Sequence, residues 1–159
     1  LIDKPQFEII EYRPSAKDYV HQIVGHPSVR EATKQNKRIV VRCDSRKQVL
    51  DITEALTDRG HSVIGVTSGH LKKSSNQNVM SKLPKQEQLS KYSFIVHHDM
   101  LTRSYADVEL CVLVVLGDFV ADGDAVQQIG RIISKNASRQ FPPVVLSRNK
   151  RMEEAVIKD

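Results

Sequence analysis

The chain has 159 residues, 40% of them hydrophobic and 27% charged, with a formal net charge of +5 and an isoelectric point near 9.3. That length suits one domain around one core, and the basic balance suits a polyanionic partner such as nucleic acid. No apolar run approaches the ~20 residues of a membrane-spanning helix. The opening LIDKPQFEII carries acidic residues and a proline where a secretory signal would be hydrophobic, and the absence of an initial methionine reads as a piece of a longer protein.

In chain order, FEII (7–10) reads as a strand. SAKDYVHQIV (15–24) reads as a helix capped by Ser15 and ended by Gly25 and Pro27. RIVVRC (38–43) is a buried strand. SRKQVLDITEALTDRG (45–60) is the clearest helix: Ser45 caps it, Val49, Ile52 and Leu56 form one apolar stripe, and Gly60 closes it. SVIGVT (62–67) is the next strand and SGHLKKSSNQN (68–78) a polar loop. SFIVHH (93–98) and ELCVLVVLG (109–117) are strands, the second apolar on both faces as a central parallel strand requires. DAVQQIGRIISK (124–135) is a helix, FPPVVLS (141–147) a last strand and NKRMEEAVIK (149–158) a closing helix. Strand–helix alternation of this kind predicts an α/β fold, a parallel sheet with helices on both faces. Ligands on such sheets lie beyond the carboxyl ends of the strands, which here means residues 43–46, 67–70, 97–104 and 117–124.

Several familiar chemistries fit poorly. Cys43 and Cys111 sit inside strand-like apolar runs and read as buried free thiols, without the clustering of a zinc site or the numbers of a disulfide framework. GVTSGHLKKS (65–74) is not a Walker A loop, because His70 rather than lysine follows Gly69. No acidic string for Mg²⁺ follows a strand. His97 and His98 are neighbours on a strand and point to opposite faces, so they cannot readily chelate one metal. Asp99 and Asp107 have no histidine or serine at triad spacing. Gly130 costs roughly 1 kcal/mol in a helix relative to alanine, and Arg131 beside it carries a planar guanidinium suited to phosphate oxygens.

Taken together, the pieces resemble the second, C-terminal RecA-like domain of a superfamily 2 helicase. RIVVRCDSRKQVLDITEALTDRGHSVIGVTSGHL resembles that family's motif IV region, a strand, a Ser-Arg/Lys pair, an amphipathic helix, a glycine and a second strand. SFIVHHDMLTRSYADVELCVLVV resembles motif V, and DAVQQIGRIIS resembles motif VI, Q-R-x-G-R-x-x-R. The likeness spans roughly residues 36–147, and within the superfamily it is nearest to viral RNA helicases of the flavivirus and potyvirus type. It divides the chain into a strand and helical lead-in, 1–35, and a RecA-like, P-loop NTPase-related domain, 36–159, forming one domain between them.

The resemblance implies that Arg131 and Gln127 face a nucleotide from across a cleft. Gly130 then belongs to the turn near the γ-phosphate, and Asp99 and Ser104 to a loop coupling nucleotide to strand. Ser45 and Arg46 hold a phosphate of single-stranded nucleic acid, expected to be RNA, at a helix start that itself favours an anion, with Thr67 and His98 along the same strand. ATP or another NTP, with Mg²⁺, is held mainly by a first RecA-like domain of the same chain or polyprotein. The implied location is cytoplasmic, in a host cell if the protein is viral. There are departures: Gln128 stands where motif VI has arginine, Ser134 replaces its final arginine, His98 the usual motif V threonine and Ser104 its glycine. They leave two functional expectations: a helicase domain inactive by itself, or a degenerate helicase-like module that binds nucleic acid or protein. A flavodoxin-like or receiver-type domain is a third reading, and FEIIEY offers only Glu11 where a receiver clusters acids.

Overall fold

The computed structural model describes residues 6–67, 79–81, 85–89, 91–98, 110–116 and 144–147. Seven strands form one parallel sheet: β1 (Gln6–Ile9), β2 (Arg38–Arg42), β3 (Val63–Thr67), β4 (Val79–Met80), β5 (Phe94–His98), β6 (Leu110–Val115) and β7 (Val144–Ser147), in the order β1-β7-β6-β2-β5-β3-β4. β1 pairs with β7, so the lead-in belongs to the same sheet as the rest. Four helices are described: α1 (Ala16–Gly25), α2 (Pro27–Lys34), α3 (Arg46–Asp58) and the single turn α4 (Gln86–Leu89). None of them is long and apolar enough to cross a membrane.

The sheet is buried on both faces. Ile39, Val41, Phe94, Val96, Val112 and Val114 pack with Val20, Ile23, Val29, Val49, Ile52 and Leu56 of α1, α2 and α3 in one continuous core. The alternate residues Val40, Ile64, Val66, Ile95, Leu113 and Val115 point to the opposite face and are buried as well. This is the pattern of a parallel sheet covered on both sides, and it explains why the strands read as unbroken apolar runs rather than alternating ones.

The helix ends follow from their punctuation. Ser15 Oγ accepts from Asp18 N at the start of α1. At the end of α3, Gly60 adopts φ +85°, and the N–H groups of Gly60 and His61 bond back to Thr57 and Leu56, the Schellman closure that a left-handed residue permits. Asn36, at φ 61°, closes α2 in the same way, with its own N–H and that of Lys37 bonded to Thr33 and Ala32. The chain then enters β2 at once.

α2 is the main element that the sequence reading does not contain. Pro27 reads as a stop for α1, and it is one, but a proline is also well placed at the first position of a helix. His26 serves both helices. Its N–H bonds Ile23 at the end of α1, and its Nδ1 accepts from Ser28 N at the start of α2. The proton therefore sits on Nε2, which faces Glu8 of β1 at 3.1 Å. α2 buries only Val29 and Ala32, too few apolar positions to show a period. β4 and α4 are too short to show one. The strand expected at 7–10 lies at Gln6–Ile9. The loop expected at 68–78 and the helices expected at 124–135 and 149–158 lie outside the described residues.

α3 packs closely on β3. A Cβ placed on Gly65 would meet Thr53 Oγ1 at 2.5 Å and Val49 Cγ1 at 3.3 Å, and both of those side chains are fully buried on α3. Gly65→Ala is expected to cost about 1–3 kcal/mol through overpacking, read by urea unfolding. Thr53→Ala in the same chain should restore most of that loss. An undiminished loss in the double variant would place the strain elsewhere.

Candidate nucleic-acid interface

Because every strand runs the same way, all the strand ends that matter for a ligand lie along one edge. β2 is held up to that edge on both sides. Past its last residue, Cys43 N still bonds His97 O at 2.8 Å, and Leu116 N bonds Arg42 O at 2.9 Å. Two residues later Ser45 caps α3. Its Oγ accepts from Gln48 N at 3.1 Å, and Gln48 Oε1 in turn accepts from Asp44 N at 2.7 Å. This reciprocal arrangement is a one-residue variant of the capping box. The Ser45 hydroxyl uses a lone pair for the cap and keeps its own proton to donate. The first-turn N–H groups at Arg46 and Lys47 have no acceptor within the helix, and the helix dipole adds partial positive charge there.

A groove of about 290 Å³ opens at this end. Two serine-capped helix starts line it, Ser15 with Ala16 of α1 and Ser45 with Lys47 and Gln48 of α3, together with Leu116 beyond β6. The segment leaving β1 supplies Tyr12 and Arg13. Arg13 is braced on both sides: its Nε donates to Gln22 Oε1 at 2.7 Å, and a terminal nitrogen lies 3.2 Å from Glu11. Asp44 and Asp51 bring carboxylates to the same groove, so its walls offer both donors and acceptors rather than a uniform positive field.

The expected site residues divide as follows. Ser45 lies in the groove. Arg46 is exposed in the first turn of α3, while its neighbour Lys47 is the cation that lines the groove. Thr67 and His98 are brought together as register partners at the ends of β3 and β5. Thr67 is fully buried and its hydroxyl has no hydrogen-bond partner among the described residues, whereas His98 is half-exposed. Asp99, Ser104, Gln127, Gly130 and Arg131 lie outside the described residues. The two histidines diverge as alternation requires, and among the described residues no three metal-ligating side chains converge. Cys43 is a buried free thiol whose pKa is pushed well up by burial and by Asp44, which makes it unreactive.

Tyr12, Arg13 and Lys47 are missing from the residues singled out in the sequence. The same carboxyl-end rule, applied to the first strand as well as the later ones, points to 10–15. The remaining surprise is Arg42. It and His97 are register partners on β2 and β5, both buried on the sheet face opposite α1–α3. Burial, then the Arg42 charge, then His98 push the His97 imidazole down to about 3.

Compared by sequence, the chain matches no protein-family model and no curated protein. Compared by structure, it is similar to the C-terminal domain of the DEAD-box protein Dbp5, with a TM-score of 0.58, 11% identity, and coverage of 98% of this chain and 82% of that one. It is similar also to the Saccharomyces cerevisiae Dbp5 C-terminal domain bound to Gle1 and IP6, at a TM-score of 0.56 and 10% identity over 97% of this chain and 81% of that one. A third likeness, to the C-terminal part of the Fun30 ATPase domain, has a TM-score of 0.53 and 7% identity, covering 89% of this chain and 42% of that one. The chain shares the RecA-like α/β fold of these domains, a parallel sheet with helices packed on it.

His97 gives this region a pH signature. Folded, it stays neutral down to about pH 3; unfolded, it takes up a proton near its ordinary value of 6.5. Its contribution to stability is complete above about pH 6.5 and falls as the pH drops toward 3, at about 1.4 kcal/mol per pH unit. Urea unfolding from pH 7 to pH 4 should show this slope, and His97→Leu should remove it. An unchanged slope in the variant would assign the proton uptake to other groups.

Proposed function

We propose that the chain is the C-terminal RecA-like domain of an NTP-dependent RNA helicase of superfamily 2. The observation that carries this reading is the groove at the carboxyl edge, where two capped helix starts, Lys47 and Arg13 meet on a fold of the helicase type. A helix start offers oriented N–H groups and positive potential to a phosphate, and Ser45 Oγ–H and the Lys47 ammonium add two further donors. In this reading Ser45 and Arg46 hold strand phosphates from the start of α3, with Lys47 as an additional contact. His98 continues the same path along the edge. Thr67, buried beside it, acts by fixing the end of β3.

The nucleotide side rests on motif order. Arg131 and Gln127 face ATP or another NTP whose phosphates and Mg²⁺ are held by a first RecA-like domain, while Gly130, Asp99 and Ser104 connect that cleft to the strand. The fold neighbours do not favour the viral subgroup of the superfamily over any other. The second reading, a degenerate binding module, is favoured by Ser134 and Gln128 in place of two motif VI arginines.

Binding of labelled single-stranded RNA by this chain should be weak, indifferent to sequence at the level of phosphate contacts, and steeply salt-dependent. Lys47→Ala should reduce the slope of log affinity against log salt by about 0.7, the value for one lost single-strand phosphate contact. Ser45→Ala should weaken binding and also lower stability by about 1 kcal/mol through the lost cap. Binding that ignores salt would remove the groove from this role.

The chain alone should hydrolyse no NTP. In a protein containing both RecA-like domains, Arg131→Ala should reduce kcat by about 10³-fold with RNA affinity nearly unchanged. Ser45→Ala should reverse that pattern, lowering RNA affinity and RNA stimulation while basal turnover persists. Hydrolysis unaffected by Arg131→Ala would make the binding-module reading the leading one.

A further inference from the structure

Tyr12 stands out as a large aromatic side chain with most of its surface in water, 65% exposed. It lines the groove together with Arg13 and the start of α3. A single exposed tyrosine means little by itself, but this one is fixed. Its ring meets that of Tyr19 edge to face, with centroids 6.1 Å apart and planes at 86°, and Tyr19 is buried on α1. Ile10 on one side is buried in the core. On the other, Arg13 is tied to Gln22 of α1 and Pro14 restricts the backbone before the Ser15 cap. An aromatic ring held this way loses little freedom when a ligand covers it.

We infer that Tyr12 is a stacking platform for a nucleobase of single-stranded RNA whose phosphates lie at the start of α3. The inference rests on the strand-binding reading of the groove and adds a contact to the base. Sequence-tolerant strand grooves combine cations for the backbone with aromatic faces for the bases, and Lys47 and Arg13 line the same groove as Tyr12. Asp44 and Asp51 fit the same ligand. They disfavour a second phosphate but can accept hydrogen bonds from exocyclic amines on base edges. A groove for phosphate alone would have no use for an exposed ring and two carboxylates.

The test uses this chain with two fluorescein-labelled probes, a uridylate dodecamer and an abasic ribose-phosphate dodecamer of equal charge. The native chain should bind the uridylate roughly five- to hundredfold more tightly than the abasic probe. Tyr12→Ala should erase that difference without changing abasic binding, and Tyr12→Phe should keep it. The chain has no tryptophan, so Tyr12→Trp supplies a single indole, which uridylate should quench and the abasic probe should not. If Tyr12→Ala leaves both affinities unchanged, or lowers both equally, stacking is wrong, even where Lys47→Ala weakens both probes and the strand groove stands. If neither probe binds, or Lys47→Ala affects neither, the groove reading fails and the platform fails with it.

Discussion

β2 has a hydrogen-bonded strand on each edge and a buried layer on each face, and the rest of the structure is arranged around that enclosure. A strand so placed must pair every backbone group, because water cannot reach any of them. It pairs with β5 from Ile39 to Arg42 and with β6 from Arg38 to Arg42, with one register shift between Arg38 and Ile39, and the pairing runs on through Cys43 and Leu116. The end of β2 is consequently a rigid point. Only Asp44 and Ser45 separate the paired Cys43 from the first turn of α3, so the start of that helix is positioned almost as firmly as the strand. A phosphate site made from backbone N–H groups requires such rigidity, since its donors cannot turn to find their ligand.

The enclosure has a cost at its carboxyl end. Arg42 occupies a buried strand position on the sheet face opposite α1–α3, with His97 next to it on β5. A guanidinium keeps its charge at any pH that proteins survive, so the histidine is the group that yields, and burial beside Arg42 holds it neutral. The two residues that close the sheet here are chemically unlike the aliphatic layers beneath them. Polar groups buried under a ligand edge cannot be replaced by aliphatic ones without changing the charge that the edge presents.

Much of this could be read from the residues. The strands at 38–43, 62–67, 93–98 and 109–117 and the helix from Ser45 to Gly60 were legible because each has a strong local cause: a β-branched run buried on both faces, or a capped apolar stripe closed by a residue that adopts positive φ. α2 was illegible because its proline signals a start and a stop equally well, and because tertiary contact with β2 stabilises it more than any period of its own. Strand order was not legible at all. That β2 separates β5 from β6 depends on crossovers, which local pattern does not encode. For the candidate site, Ser45 was singled out by its capping chemistry together with the resemblance to motif IV. Lys47 was passed over for Arg46 because adjacency to a motif does not reveal which side of a helix start faces the groove. Tyr12 was missed because its partners, Tyr19 on α1 and the start of α3, become neighbours only when the sheet is assembled.

The charge of the groove links its shape to its chemistry. A chain of net charge +5 attracts any polyanion at long range, and that attraction decays within about 8 Å at physiological salt. It brings a strand to the surface without choosing where the strand lies. Placement requires contacts that a plain anion cannot satisfy, and the groove's mixed lining of two cations, two carboxylates, two capped helix starts and one exposed ring meets that requirement. On the proposed reading of the groove, a phosphate is attracted on the Lys47 side and repelled over Asp51, which gives a bound strand a preferred register.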